Sequence, residues 1–494
     1  MISQDSTDLY ATLGVKPSAT TDEIDAAYEA RQSDAASGRD LSAAEWERLR
    51  YAYEVLSDPR RRDLYDSLVA ETAPPVLNID MVLSGTRLPL LDEPQLFYVL
   101  ATVNSAESRA AYRLPLNLTL VIDRSTSMKG ERLETVIRAV SLVLDKLGPE
   151  DSLAVISFSD RAEVVLPAHQ RGGVADTSDP AIAIARQNPH DRLRSIIASG
   201  GTEIYQGLKE GVAQARRMAA GRNSHVILLT DGHTYGDDAD CLKLAEEVAT
   251  EGIDMTALGI GADWNDQFLD ALVAPSGGQS GFIEQPGDLL PLLESRLKGL
   301  AAAYGRNVTL SQNWPSQLQL RHGFKLSPFA QPMILEDEPI PLGNLEGRAP
   351  LTFILEFLVA PQTIPVRVRL PLEIHYRVSA DSGQFLTLQR SIQLIIDRGE
   401  TENEPPSALI DAVRQMNLYR VQEQVWEDVQ SGRPDTAADR MRRLTTRYQE
   451  TGDLRLARQA QLESQRLANM GTISPEGRKV LKYGTRSLGG LLDS

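Results

Sequence analysis

Five side chains in three separate stretches share one chemistry. Asp123-Arg124-Ser125-Thr126-Ser127 sets a carboxylate and two hydroxyls on alternate residues. Gly200-Gly201-Thr202 adds a third hydroxyl, and Leu229-Thr230-Asp231-Gly232 adds a second carboxylate. Carboxylates and hydroxyls without imidazole or thiolate are hard oxygen donors, which suit an octahedral cation such as Mg2+, with Mn2+ or Ca2+ as alternatives. A metal-dependent hydrolase would need a base converging on that cation. His233 is the one histidine close in sequence, and a lone histidine in a strand-end loop reads as solvated or capping. No residue is therefore assigned a catalytic role. Asp237, Asp238 and Asp240 read as the acids of a helix N-terminus, and Cys241 as a buried structural thiol. Gly259-Ile260-Gly261-Ala262-Asp263 has no following Lys-Ser/Thr, so it reads as a strand-to-helix turn rather than a phosphate loop.

The elements that must position these residues follow from periodicity. Leu116–Ile122 is a short apolar run, and similar runs recur at Leu153–Phe158, Val226–Leu229 and Met255–Ile260. Amphipathic stretches Leu133–Leu147, Glu203–Met218 and Asp240–Thr250 lie between them. Strand, helix, strand at this spacing predicts a mostly parallel, doubly wound (Rossmann-like) α/β sheet covered on both faces. In such sheets ligands gather at the carboxyl ends of the strands, where Asp123 and Asp231 fall. Residues 72–113 and 305–397 alternate as strands do. Neither stretch closes a core alone, so the two are expected to form one β-sandwich with the α/β domain, 114–303, inserted between its strands. Ala73-Pro74-Pro75 reads as a linker, and Glu400–Pro406 as a flexible one. Residues 407–470 predict helical hairpins broken at Ser431–Pro434 and Thr451–Asp453, and Lys482–Arg486 reads as a partly ordered tail closing 407–494.

The Asp-x-Ser-x-Ser run, the Thr after a Gly pair and the strand-end Asp-Gly resemble the metal-ion-dependent adhesion site (MIDAS) of von Willebrand factor type A (VWA) domains. The resemblance covers about 185 residues, and all five positions occur in order. It implies that Ser125, Ser127 and Thr202 supply side-chain oxygens to the metal and that Asp123 and Asp231 bind directly or through water. It also implies that a sixth position is left for an acidic residue of a protein partner. Thr126 stands where many members have Gly, which stiffens the loop without removing a ligand.

The first 70 residues resemble the J-domain of chaperones. Asp8–Val15, Ala19–Ile24 with Ala27-Tyr28, and Ala52–Asp66 carry the likeness. The family's His-Pro-Asp should fall near Ala36-Ser37-Gly38 and is absent; no histidine precedes His169. The second helix carries Asp22, Glu23, Asp25, Glu29 and Asp34 against Arg31, where the family's chaperone-facing surface is basic. A small all-α bundle without co-chaperone activity is the expectation.

Composition bounds the function. The chain has 494 residues and a net charge of −17. So acidic a chain repels phosphate backbones and anionic lipid, which argues against nucleic acid and membranes as partners. One cysteine excludes an internal disulfide framework. No basic-then-apolar leader opens the sequence and no apolar run is long enough to span a bilayer, so a cytoplasmic location is expected. The leading expectation is a cytoplasmic scaffold, not an enzyme, that binds an acidic group of a partner through Mg2+; the resemblance makes an AAA+ ATPase complex the first partner class. The alternatives are a J-like chaperone adaptor whose type A domain holds clients, and the metal hydrolase.

Overall fold

A computed structural model describes residues 9–15, 19–36, 43–62, 65, 77–105, 114–170, 188–233, 236–346, 349–377, 386–399 and 404–488. The expected linker 73–75, the Ser37-Gly38 stretch and most of the expected flexible segment 400–406 lie outside these residues. The chain divides into two compact units, 1–74 and 75–494. Among the described residues no helix is long and apolar enough to cross a membrane.

The first unit contains α1 (Leu9–Leu13), α2 (Thr21–Ala36) and α3 (Ala43–Leu56). Thr20 and Glu23 start α2 as a reciprocal capping box, each side chain accepting the other's backbone N–H. Leu9, Leu13, Ile24, Leu49, Ala52 and Leu56 form the buried core. Tyr28 stacks on Tyr53 with ring centroids 4.1 Å apart. Asp58 accepts the backbone N–H groups of Arg60 and Arg61 at 2.9 and 3.0 Å, capping the turn that follows α3.

The second unit opens with β1 (Leu77–Leu83), β2 (Arg87–Pro89) and β3 (Gln95–Ser105). The α/β segment follows: β4 (Leu116–Asp123), α4 (Glu131–Lys146), β5 (Ser152–Phe158), β6 (Ala162–Gln170), α5 (Pro189–Arg194), α6 (Ile204–Arg217), β7 (Asn223–Thr230), α7 (Asp238–Thr250), β8 (Ile253–Ile260), α8 (Asp266–Val273), β9 (Gln279–Ile283) and α9 (Leu289–Ala301). Its sheet runs β6-β5-β4-β7-β8-β9 and is parallel except for β6. Alternation along the strands builds a core on each face. Leu120, Ile122, Ile227 and Leu229 pack with Val136, Val140 and Leu293, whereas Val121, Val226 and Leu228 pack with Leu208, Val212 and Val248. Cys241 is buried in the second of these cores.

The chain continues through β10 (Ala303–Leu310), β11 (Leu318–Ser327), β12 (Gln331–Pro332), β13 (Ile340–Glu346), β14 (Leu351–Val359), β15 (Val366–Arg377) and β16 (Leu386–Asp397). Two five-stranded sheets result, β1-β3-β14-β11-β12 and β13-β10-β15-β16-β2, so each contains strands from both sides of the α/β segment. Phe97, Val99, Phe353 and Phe357 of one sheet and Leu342, Leu370, Leu372 and Leu394 of the other share a single core.

Four helices end the described chain: α10 (Ser407–Gln430), α11 (Pro434–Glu450), α12 (Leu454–Met470) and α13 (Pro475–Ser487). Helix α10 lays Leu409, Ala412, Met416 and Tyr419 on Leu100, Phe324 and Ile354 of the first sheet. The expected tail at Lys482–Arg486 is instead part of α13, and this corrects the reading from sequence. Tyr483 packs among Trp264 and Phe282 of the α/β segment, while Lys482 and Arg486 pair with Asp270 at 2.7 Å each. Two cations in a short stretch read as solvated when their acidic partners, more than 200 residues away in sequence, are not in view.

Candidate metal centre

The site stands where β4 and β7 end. Asp123 is the last residue of β4, and the chain then makes a tight 3-10 turn, Thr126–Met128, before α4. That turn folds the hydroxyls back over the strand end. The Asp123 Oδ1 accepts the Ser125 N–H at 2.7 Å, and the Ser125 and Ser127 hydroxyls lie 3.0 Å apart. Across the strand boundary, Ser127 Oγ donates to Asp231 Oδ1 at 2.6 Å. Thr230, the last residue of β7, donates its hydroxyl to Asp123 Oδ2 at 2.6 Å. Both carboxylates are buried, as are Ser125 and Thr202, while Ser127 is exposed at the mouth.

Thr202 reaches the cluster on a loop pinned from several sides. Ser199 N–H donates to the Arg124 carbonyl at 2.7 Å, and Gly201 N–H to Asp160 Oδ1 at 2.7 Å. Gly200 has φ +81°, and a Cβ there would stand 2.5 Å from Asp160 Oδ2, so the position demands glycine. Thr126 closes the arrangement: its N–H and its hydroxyl both donate to the Gly200 carbonyl, at 3.1 and 2.9 Å. The Thr202 hydroxyl then abuts the Asp231-Gly232 turn, 3.3 Å from where a Cβ on Gly232 would sit. All five residues singled out from sequence therefore lie together at the carboxyl ends of the central strands β4 and β7.

Electrostatics favours a cation there. Burial pushes the Asp123 carboxyl up, hydrogen bonds from Thr230 and Ser125 pull it back, and the charge of Asp231 adds to the rise. Two carboxylates held together in a desolvated pocket are eased by any positive charge between them. Arg132, in the first turn of α4, supplies one, donating Nη1 to Asp231 Oδ2 at 2.6 Å. Among the described residues no group of three or more His, Cys, Asp or Glu side chains gathers as a metal site. The mixed set of two carboxylates and three hydroxyls has the donor chemistry that fits a hard divalent ion.

Sequence reasoning gave Thr126 only a loop-stiffening role and passed over Asp160, Thr230 and Arg132. Thr230 was within reach as the neighbour of Asp231; the others carry no local signal. His233 is exposed and lies on the rim of a groove of about 550 Å3, lined also by Trp264, Trp426, Ile473 and Lys479.

Comparison with known proteins agrees with this α/β fold. The von Willebrand factor type A domain family matches residues 117–290, the DnaJ domain family residues 8–66, and the Sll0103-like C-terminal alpha-helical domain family residues 407–491. The chain is 39% identical over 180 residues to the uncharacterized protein sll0103 of Synechocystis sp., covering 36% of this chain and 40% of that protein. It is 26% identical over 312 residues to inter-alpha-trypsin inhibitor heavy chain H4 of Homo sapiens, covering 59% of this chain and 32% of that protein. It thus spans well under two thirds of either relative. Among solved structures, a von Willebrand factor type A protein from Catenulispora acidiphila aligns with TM-score 0.66 at 16% identity, covering 84% of this chain and 97% of the other. The ArnB paralog VWA2 from Sulfolobus acidocaldarius aligns with TM-score 0.53 at 15% identity, covering 83% and 98%. At these identities the likeness is one of fold. The chain carries a von Willebrand factor type A domain, with a DnaJ-domain match before it and a Sll0103-like helical domain after it.

Proposed function

We propose that this chain is a cytoplasmic protein–protein interaction scaffold that recognises an acidic group of a partner through Mg2+ held by Asp123, Ser125, Ser127, Thr202 and Asp231. The observation that carries the reading is convergence: three stretches, far apart in sequence, bring two buried carboxylates and three hydroxyls to the carboxyl ends of β4 and β7. When bound, the cation supplies a Lewis-acidic position that attracts a carboxylate from outside the chain. The remaining work belongs to the chain's own residues. Thr230 orients Asp123, Arg132 orients Asp231, and Thr126 with Asp160 holds the Thr202 loop in register. The role proposed is binding, with the cation presenting its open position to a carboxylate of the partner. An AAA+ ATPase complex is the first partner class to test, on the resemblance to type A proteins that serve such complexes.

A second reading, a J-like adaptor whose type A domain holds clients, is supported by the DnaJ-domain match at 8–66. It is weakened by the absence of any histidine before His169. Capture of partners from native extract by the full chain separates the metal-dependent reading from its rivals. Capture should fail with EDTA and with Asp123→Ala; capture indifferent to both would show that the type A domain binds without its metal.

A further inference from the structure

Asp231 has both oxygens occupied by the protein itself. Oδ1 accepts from Ser127 and Oδ2 from Arg132, each at 2.6 Å. The Asp231 side chain is wholly buried, whereas that of Arg132 is 36% exposed, so the guanidinium enters the site from its solvent side. Arg132 belongs to α4, which begins directly after the loop bearing Ser125 and Ser127, and is thus carried by a rigid element. Its other face lies on the turn after β8. Gly261 has φ +72°, and a Cβ there would stand 3.1 Å from Arg132 Nη2, so glycine leaves the guanidinium its place.

We infer that Arg132 is a built-in competitor of the metal: it holds Asp231 in position and sets how tightly a divalent cation binds. The inference rests on the metal-centre reading above. Two buried carboxylates would otherwise repel, and the guanidinium offsets one of their charges, which keeps the cluster shaped. A divalent cation consequently meets a site of net charge −1 rather than −2 and must share Asp231 with Arg132. A unit charge a few ångströms from the ion, in surroundings of intermediate dielectric, weakens binding by about tenfold or more. Metal occupancy then depends on a further anion. A carboxylate from the partner restores the lost negative charge, so metal and partner each raise the other's affinity by the same factor.

The test titrates MgCl2 alone into the full chain by calorimetry, with the parent, Arg132→Gln, Arg132→Met, Arg132→Lys and Asp123→Ala, each checked for native circular dichroism. Arg132→Gln and Arg132→Met should bind Mg2+ about tenfold more tightly than the parent, with a lower melting temperature before Mg2+ is added. Arg132→Lys should stay near the parent. The methionine variant keeps the apolar stem, so a folded neutral variant is available if glutamine disrupts packing. Unchanged or weaker Mg2+ binding by the neutral variants, with binding still abolished in Asp123→Ala, would overturn the role of Arg132 alone. Absence of binding by the parent, or binding indifferent to Asp123→Ala, would overturn the metal-centre reading and this inference with it.

Discussion

Thr230 and Asp123 show how much of the site is made by residues that need not touch a metal. The Thr230 hydroxyl donates to Oδ2 of a buried carboxylate at 2.6 Å. Thr230→Val keeps the shape and removes the donor, which should destabilise the chain by about 1–3 kcal/mol, the usual cost of orphaning a buried partner. Urea unfolding of parent and variant checks this; equal midpoints would mean that Asp123 is satisfied in another way. The five candidate side chains were legible in sequence because residue type and spacing survive within each stretch. The supports were not, because each acts between loops. Thr126 meets Gly200 across 74 positions, Asp160 meets Gly201 across 41, and Arg132 meets Asp231 across 99.

Between elements, the junction below the type A sheet holds buried charge. Lys325 on β11 donates to the carbonyls of Gly277, in the α/β segment, and Leu342, on β13, at 2.8 and 3.2 Å. Burial, with the nearby Arg296 charge, pushes its ammonium down to about 7, against the pull of Glu346 and Asp254. The unfolded chain binds this proton up to a pH of roughly 10.4. Between those values the unfolded state carries more protons, so this contribution to stability rises with pH and is lost as pH falls through about 7. The urea midpoint of the parent, relative to Lys325→Met, should therefore increase from pH 7 to pH 9, by the equivalent of about 1–2 kcal/mol. Parallel midpoints would show that Lys325 keeps its ordinary proton affinity. We read the two flanking sheets as one sandwich domain that the α/β segment interrupts. Limited proteolysis should then release no stable 305–397 fragment free of 77–105, since β14 pairs along nine residues with β3. Alternation made these strands legible, and neither stretch could close a core alone. The docking of α13 escaped notice because its cations look solvent-bound until Asp266 and Asp270 are brought to them. Burial opposes the charge of Asp270, yet Arg486 and Lys482 outweigh it and hold that carboxyl well below its usual range.

For the whole molecule, the order of helical, β and α/β stretches was legible from composition, periodicity and resemblance, whereas the joining of parts was not, because it rests on side chains that meet only in three dimensions. The N-terminal unit, which the DnaJ domain family matches at 8–66, has a buried core and a Tyr28–Tyr53 stack, and no histidine precedes His169. The full chain should leave the ATPase rate of a heat-shock chaperone unchanged; a measurable acceleration would restore the adaptor reading to first place. The type A domain bears the central claim. A ligand that binds only the folded state raises the melting temperature by linkage, by about 2.7 kcal/mol of stability at a concentration one hundred times its Kd. The deciding measurement is the melting temperature of the full chain and of Asp123→Ala across a magnesium titration. The parent should gain several degrees and the variant almost nothing, whatever their starting stabilities. Equal gains in the two proteins, or none in the parent, would contradict a metal held by Asp123, Ser125, Ser127, Thr202 and Asp231.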